Sequence, residues 1–166
     1  LARSARPSLA VSVATELVSR GVRAEILAFG RGPLQRQLRS AARRAGVPVT
    51  ADDDLGGWPS RVGDSAVVLL LAPSAGLGSE LVEAAANGIP SVAVSTALGV
   101  ADAVIPGITG ELAFDDDPAS IADAVEAAAS LDVTGVEAWL GRFSATSSGS
   151  VLERALDLAD ACRGAA

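Results

Sequence analysis

The sequence predicts an α/β protein: a three-layer sandwich with helices on both faces of a parallel sheet of about six strands. Short apolar runs without polar alternation, such as residues 66–72 and 89–94, have the length and flat hydrophobicity of strands buried on both faces. Between such runs lie segments with apolar residues spaced i, i+4, closed by Gly or Asn-Gly, as helices are. An apolar fraction of 49% and a mean hydropathy of +0.39 suit a sheet covered on both sides.

Taken in order, residues 7–20 read as a helix with Leu9, Val13 and Leu17 as its inner stripe and Gly21 as its stop. Residues 24–29 follow as a buried strand. The turn Gly30-Arg31-Gly32-Pro33 places Pro33 at the first position of the next helix. Leu34, Leu38, Ala41 and Ala45 form that helix's inner stripe, and Arg36, Arg39, Arg43 and Arg44 line its outside. In so acidic a chain this basic face reads as a solvated helix surface rather than a membrane or nucleic-acid patch. Gly30-x-Gly32 is not a dinucleotide fingerprint, because Gln35 stands where the third glycine belongs.

Residues 47–50 are a short strand, and residues 51–57 a loop at its carboxyl end. Asp52, Asp53 and Asp54 in that loop lack EF-hand spacing and read as a polar loop, with a divalent cation as the lesser alternative. Trp58 reads as a packing anchor, with a stacking platform for a base as the alternative. The strand at 66–72 leads through a Gly-rich turn into a helix starting near Ser79. Asn87-Gly88 stops that helix, Pro90 prevents its continuation, and a strand at 89–94 follows. After a short strand at 111–114, Asp117 caps a helix with Pro118 at its first position, and Ile121, Val125 and Ala128 face inward. The run Asp115-Asp116-Asp117 thereby has a structural explanation. Trp139 to Phe143 packs between helices, and residues 144–150 read as a polar linker. Residues 151–162 read as a last helix burying Leu152, Leu156 and Ala159.

A chain of 166 residues makes one domain, or one half of a two-domain enzyme. No apolar run is long enough to span a bilayer, and no signal peptide is visible. With no Met anywhere, the chain reads as a processed or excised fragment. Its one cysteine, Cys162, excludes an internal disulfide and suits a reducing, cytoplasmic setting. The absence of His excludes Ser-His and Cys-His nucleophile pairs and a His-ligated metal within this chain. All 13 basic residues are Arg; against 20 acidic residues the net charge is −7, which argues against nucleic-acid binding. The expectation is no metal and no cofactor.

The candidate site is the turn Pro73-Ser74-Ala75-Gly76-Leu77-Gly78-Ser79 and the helix that follows. Free N–H groups and the positive end of the helix dipole gather there, so the turn suits an anion. Gly76 and Gly78 lack a Cβ and permit close approach of a ligand to the backbone. The stretch resembles the donor-site motif of the retaining glycosyltransferases of GT-B fold, family 4. Its pattern is Pro-Ser-x-Glu-Gly-Phe-Gly, a helix with Leu-Glu-Ala, then Gly-x-Pro, here Gly88-Ile89-Pro90. Pro106-Gly107-Ile108-Thr109-Gly110 is similar to the family's Gly-x-Thr-Gly segment, and Gly30-Arg31-Gly32-Pro33 to its Gly-x-Gly-Pro turn. The resemblance extends from about Arg6 to Ala161.

It implies a Rossmann-like half of a GT-B fold, spanning residues 1–166 as one donor-binding domain, with the N-terminal acceptor domain absent from this chain. It implies that Glu83 binds the ribose of a UDP- or GDP-sugar and that Gly76, Leu77, Gly78 and Ser79 hold sugar and diphosphate. Gly30, Arg31, Gly32 and Arg6 complete the implied donor site. The donor is substrate rather than cofactor, the catalytic residue is not assigned, and the activity implied is retaining hexosyl transfer. The chain departs from the family at Ala75, in place of the first Glu, and at Ala5, in place of the phosphate-binding Lys. Both losses favour a second reading, a degenerate domain with a packing or partner role. A third reading is a Rossmann-like domain for some other nucleotide.

Overall fold

The computed structural model describes residues 6–72, 78–97 and 99–164. The chain divides into two compact units, Leu1–Thr134 and Gly135–Ala166.

The first unit is the expected α/β structure. Its elements run α1 (Pro7–Ser19), β1 (Ile26–Phe29), α2 (Gln35–Ala45), β2 (Val49–Asp52), a 3-10 turn (Trp58–Arg61), β3 (Val68–Leu70), α3 (Ser79–Ala86), β4 (Ser91–Val94), a 3-10 turn (Val100–Asp102), β5 (Gly110–Ala113) and α4 (Pro118–Ala128). Every strand pairing is parallel. β1 pairs with β2, and β4 lies between β3 and β5. The described residues thus hold five strands in two sheets where about six in one sheet were expected. No strand pairing joins β1 to β3 among them.

The layering follows from the side-chain period of a strand. Val92 and Val94 of β4 face a cluster with Val13 and Leu17 of α1 and with Ile121, Ala122 and Ala128 of α4. Ala93, between them, faces the opposite cluster with Leu81 of α3, Ala97 and Val100. Leu81, Val92 and Ile121 are completely buried, each contributing about 1.5–3 kcal/mol by leaving water. A third cluster joins Val11 and Ala14 of α1 to Ala28 of β1 and Leu38 and Ala42 of α2, so α1 packs against both sheets.

Several boundaries differ from expectation. β1 starts two residues late, and its Leu27 is 38% exposed, so the strand is not buried throughout. β2 lies two residues further on than 47–50 and takes in Ala51 and Asp52. β3 keeps only Val68–Leu70 of the 66–72 run, and all three residues are half-buried because β3 borders its sheet. α2 begins at Gln35, with Pro33 in the preceding turn; its buried stripe is Leu38 and Ala42, and Ala45 is exposed in the last turn. Phe114 lies outside β5 and is 84% exposed.

The Gly-x-Thr-Gly segment is structural. Thr109 is buried, and its Oγ1 accepts from the Ile105 N–H at 2.7 Å. The buried Ser91 hydroxyl donates to the Thr109 carbonyl at 3.3 Å, tying the start of β5 to β4.

The second unit holds α5 (Glu137–Leu140), a 3-10 turn (Gly141–Phe143) and α6 (Ala145–Gly164). Trp139 and Phe143 meet edge to face at 4.9 Å. Residues 145–150 are helix rather than linker. The Ser144 hydroxyl accepts from the Ser147 N–H, and the Ser147 hydroxyl donates to the Gly141 carbonyl, so the serines cap the helix start. Leu152 and Leu156, expected inside, are 60% and 54% exposed; Ala159's side chain lies outside the described residues.

Candidate functional site

In open parallel α/β sheets ligands gather at the carboxyl ends of the strands. At the end of β3, Gly78 is the N-cap of α3 at φ 71°, a conformation open to glycine at little cost. A Cβ there would also meet Leu70 and Leu81 side chains, each at 3.2 Å. The residue is therefore fixed by packing between β3 and α3 as well as by backbone conformation. Its carbonyl accepts from the Leu81 N–H at 2.9 Å. Ser79 is exposed at the first helical position, in the positive field of the helix N-terminus. Gly76 and Leu77, with Ala75, lie outside the described residues.

On α3, Leu81, Ala84 and Ala85 are buried, as an inward face requires. Glu83 is exposed, and its carboxylate takes no hydrogen bond or ion pair from the described residues. Glu80 is exposed too, so exposure alone does not separate the two. The Glu83 carbonyl accepts from the Asn87 side chain at 2.8 Å, which closes the last turn of the helix.

The turn after β1 is tied to the loop after β2. The Gly30 N–H donates to the Asp52 carbonyl at 2.8 Å. Gln35 Nε2 donates both to the Gly30 carbonyl and to Asp53, at 3.2 and 2.8 Å. Arg31 is 82% exposed, and its Nε lies 3.2 Å from the Asp53 carboxylate. The Gly32 carbonyl accepts from the Gln35 N–H. Gln35, whose place in the sequence only spoiled a glycine pattern, is thus the latch of this turn.

Within the β2 loop each Asp has its own task. Asp52 accepts from the Asp54 N–H and pairs with Arg61 at 2.6 Å, and Asp54 accepts from the Gly56 N–H at 2.8 Å. These are the bonds of a polar loop. Among the described residues no group of three or more Asp, Glu or Cys is placed to hold a metal ion. Arg61 also donates to the Asp54 carbonyl and lies 4.9 Å over the Phe29 ring, which in turn packs on Trp58. Trp58 is 8% exposed among Ala84 and Ile89, an anchor whose ring is not presented for stacking. Leu55 is 62% exposed and lies against Gly30.

At the end of β5, Arg6 approaches from the start of α1. It is the one non-glycine residue at positive φ among those described, at 46°. Its guanidinium pairs with Asp116 at 2.6 Å, which holds the Asp116 carboxyl below the usual carboxylate range. The outer members of the Asp run have different work: Asp115 accepts from the Asp117 N–H, and Asp117 caps α4 by accepting from the Ala119 N–H at 3.1 Å. Both candidate diphosphate ligands, Arg6 and Arg31, thus have carboxylate partners. Sequence reasoning found the arginines and missed Asp116 as a partner, since Arg6 lies 110 residues away along the chain.

The fold resembles that of a lipopolysaccharide outer core galactosyltransferase, WaaB, in its apo form, with a TM-score of 0.68 and 18% identity. The likeness covers 89% of this chain and 44% of that one, so the chain spans under half the length of that structure. No curated protein matches. No helix among the described residues is long and apolar enough to cross a membrane. Residues 5–130, which contain every element of the first unit, match the family described as "Glycosyl transferases group 1", and the chain belongs to that family.

Proposed function

We propose that this chain is the C-terminal, donor-binding half of a retaining glycosyltransferase of family 4 type, transferring a hexosyl group from a UDP- or GDP-sugar. The observation that carries this reading is Glu83: an exposed carboxylate without a described partner, on the helix that Gly78 starts. It falls on the ribose-binding position of the motif. A carboxylate can accept two hydrogen bonds from the vicinal hydroxyls of a ribose, each contributing about 1.5–3 kcal/mol when well formed. The Gly76–Gly78 loop and Ser79 take the diphosphate through backbone amides, assisted by the α3 dipole. The leaving diphosphate gathers negative charge as the sugar departs, and Arg6 and Arg31 are the residues assigned to compensate it. The donor is a substrate, no cofactor takes part, and the acceptor is held by a domain outside this chain.

A second reading, a domain of this family that no longer binds donor, is favoured by one observation. Arg6 and Arg31 are engaged by Asp116 and Asp53, while Ala5 stands in place of the phosphate-binding Lys. Calorimetric titration with UDP- and GDP-sugars separates the two readings. Binding that Glu83→Gln weakens more than Glu80→Gln supports the donor site. No binding of either sugar nucleotide supports the second reading, and binding of another nucleotide alone points to a different Rossmann-like ligand.

A further inference from the structure

Among the described arginines of the first unit, Arg23 is exposed and forms no ion pair, and the other eight fall into two groups. Arg6, Arg20, Arg31 and Arg61 each have a carboxylate partner. The four on α2, Arg36, Arg39, Arg43 and Arg44, are exposed and form no ion pair with the described residues. The chain from 31 to 50 contains five arginines and no Asp or Glu. Taking the four α2 charges from the net −7 leaves −11 on the remainder, so α2 carries a charge opposite in sign to that of the rest of the sequence.

Helix stability explains only part of this group. Arg43 and Arg44 lie in the last turn, where cations suit the dipole. Arg36 lies in the first turn, where they do not, and no acidic residue offsets it there. Arg39 and Arg43 are four apart, a like-charge spacing that destabilises a helix. Arg36, Arg39 and Arg43 nonetheless line one shallow groove of ≈ 480 Å³ with Ser40 and Val49. The three span about 10 Å along the helix. Their mutual repulsion is relieved when an anionic surface meets that face.

We propose that the Arg36–Arg39–Arg43 face is an electrostatic docking surface for an anionic lipid bilayer. A protein partner would require an apolar or aromatic anchor at the centre of the contact, and the exposed residues of α2 are Arg, Gln and Ala. Single-stranded nucleic acid is held in good part by rings on which its bases stack, and α2 has none. A plane meets only this face, while the acidic remainder is screened beyond a Debye length of about 8 Å at physiological salt.

The test is co-sedimentation of the 166-residue chain with phosphatidylcholine vesicles, with and without phosphatidylglycerol. Binding to the anionic vesicles alone, abolished by high salt, is the expected result. Arg36→Gln, Arg39→Gln and Arg43→Gln each weaken it about fivefold, and the triple variant on the order of a hundredfold. Arg23→Gln, an exposed arginine outside α2, leaves it nearly unchanged. Absence of wild-type binding to anionic vesicles overturns the assignment, as does an Arg23→Gln effect equal to those of the stripe. Stronger retention by poly-glutamate or by an oligonucleotide than by the vesicles would also overturn it, and would name the other class of partner.

Discussion

Gly110 lies so close to Ser91 that a Cβ on it would stand 2.8 Å from the Ser91 carbonyl carbon and 2.9 Å from its nitrogen. The two residues are register partners across β4 and β5, and both neighbouring groups are main chain, which cannot swing aside. Gly110→Ala is therefore expected to lower stability by about 2 kcal/mol or more, the cost of forcing strands apart in a packed core. Urea unfolding checks this: a midpoint equal to that of the unaltered protein would show that β5 can shift freely.

Trp58 offers a contrasting test, because its removal leaves space instead of a clash. It fills the cluster with Ala84 and Ile89 and supports Phe29. Trp58→Ala is expected to cost about 3–5 kcal/mol. Trp58→Phe should cost less, since a ring remains to pack. A small loss for the alanine variant would mean that the indole is not a core group.

Arg20 joins α1 to α4 by pairing with Glu16, Asp123 and Glu126 at 2.9, 2.5 and 2.8 Å. Those three carboxylates hold the guanidinium firmly in its charged form. Arg20→Ala should lower the unfolding midpoint, and Arg20→Lys should recover only part of the loss, because an ammonium lacks the planar fork. The difference between wild type and Arg20→Ala should shrink in high salt. An unchanged gap across salt concentrations would assign the effect to lost packing.

Asp116 links stability to pH and, under the donor reading, to affinity. Its carboxyl is lowered chiefly by the hydrogen bond from Arg6 and by that residue's charge. A lowered folded value contributes stability above the ordinary carboxylate range, lost as pH falls through the folded value. Asp116→Asn should thus lose less stability on acidification below pH about 4. The same substitution releases Arg6 for a diphosphate. Because an exposed ion pair is weak, UDP or GDP should bind no more than about fivefold tighter. That gain should vanish in an Arg6→Ala background. A gain that persists without Arg6 would show a through-space effect of the lost charge instead.

What could be read from the sequence was local. The stripe Leu9, Val13, Leu17 and the Asp117 cap with Pro118 depend on neighbours a few residues away, and the structure shows them as expected. The α2 stripe came out displaced because Leu34 precedes the helix, which moves the buried set to Leu38 and Ala42. In α6 the apolar pair Leu152 and Leu156 indicated a helix face, but spacing alone cannot say whether anything covers it. At the site, the helix start at Ser79 was legible in the motif, whereas the exposure of both Glu80 and Glu83 does not set the two apart. The engagement of Arg6 by Asp116 was not, since nothing local announces a partner brought in by the fold.

The setting of β4 also fixes how this unit opens. Its edges are paired with β3 and β5, its faces are covered by α1 and α4 on one side and by α3 on the other, and all four of its residues are buried. No fraying motion exposes such amides one at a time. Their exchange with deuterated solvent must await opening of the whole unit, so they report its global free energy. β1 and β2 pair only with each other among the described residues, and their amides exchange through smaller openings. The Rossmann-like unit is thus graded from within, with β4 the last of its described strands to yield its protons.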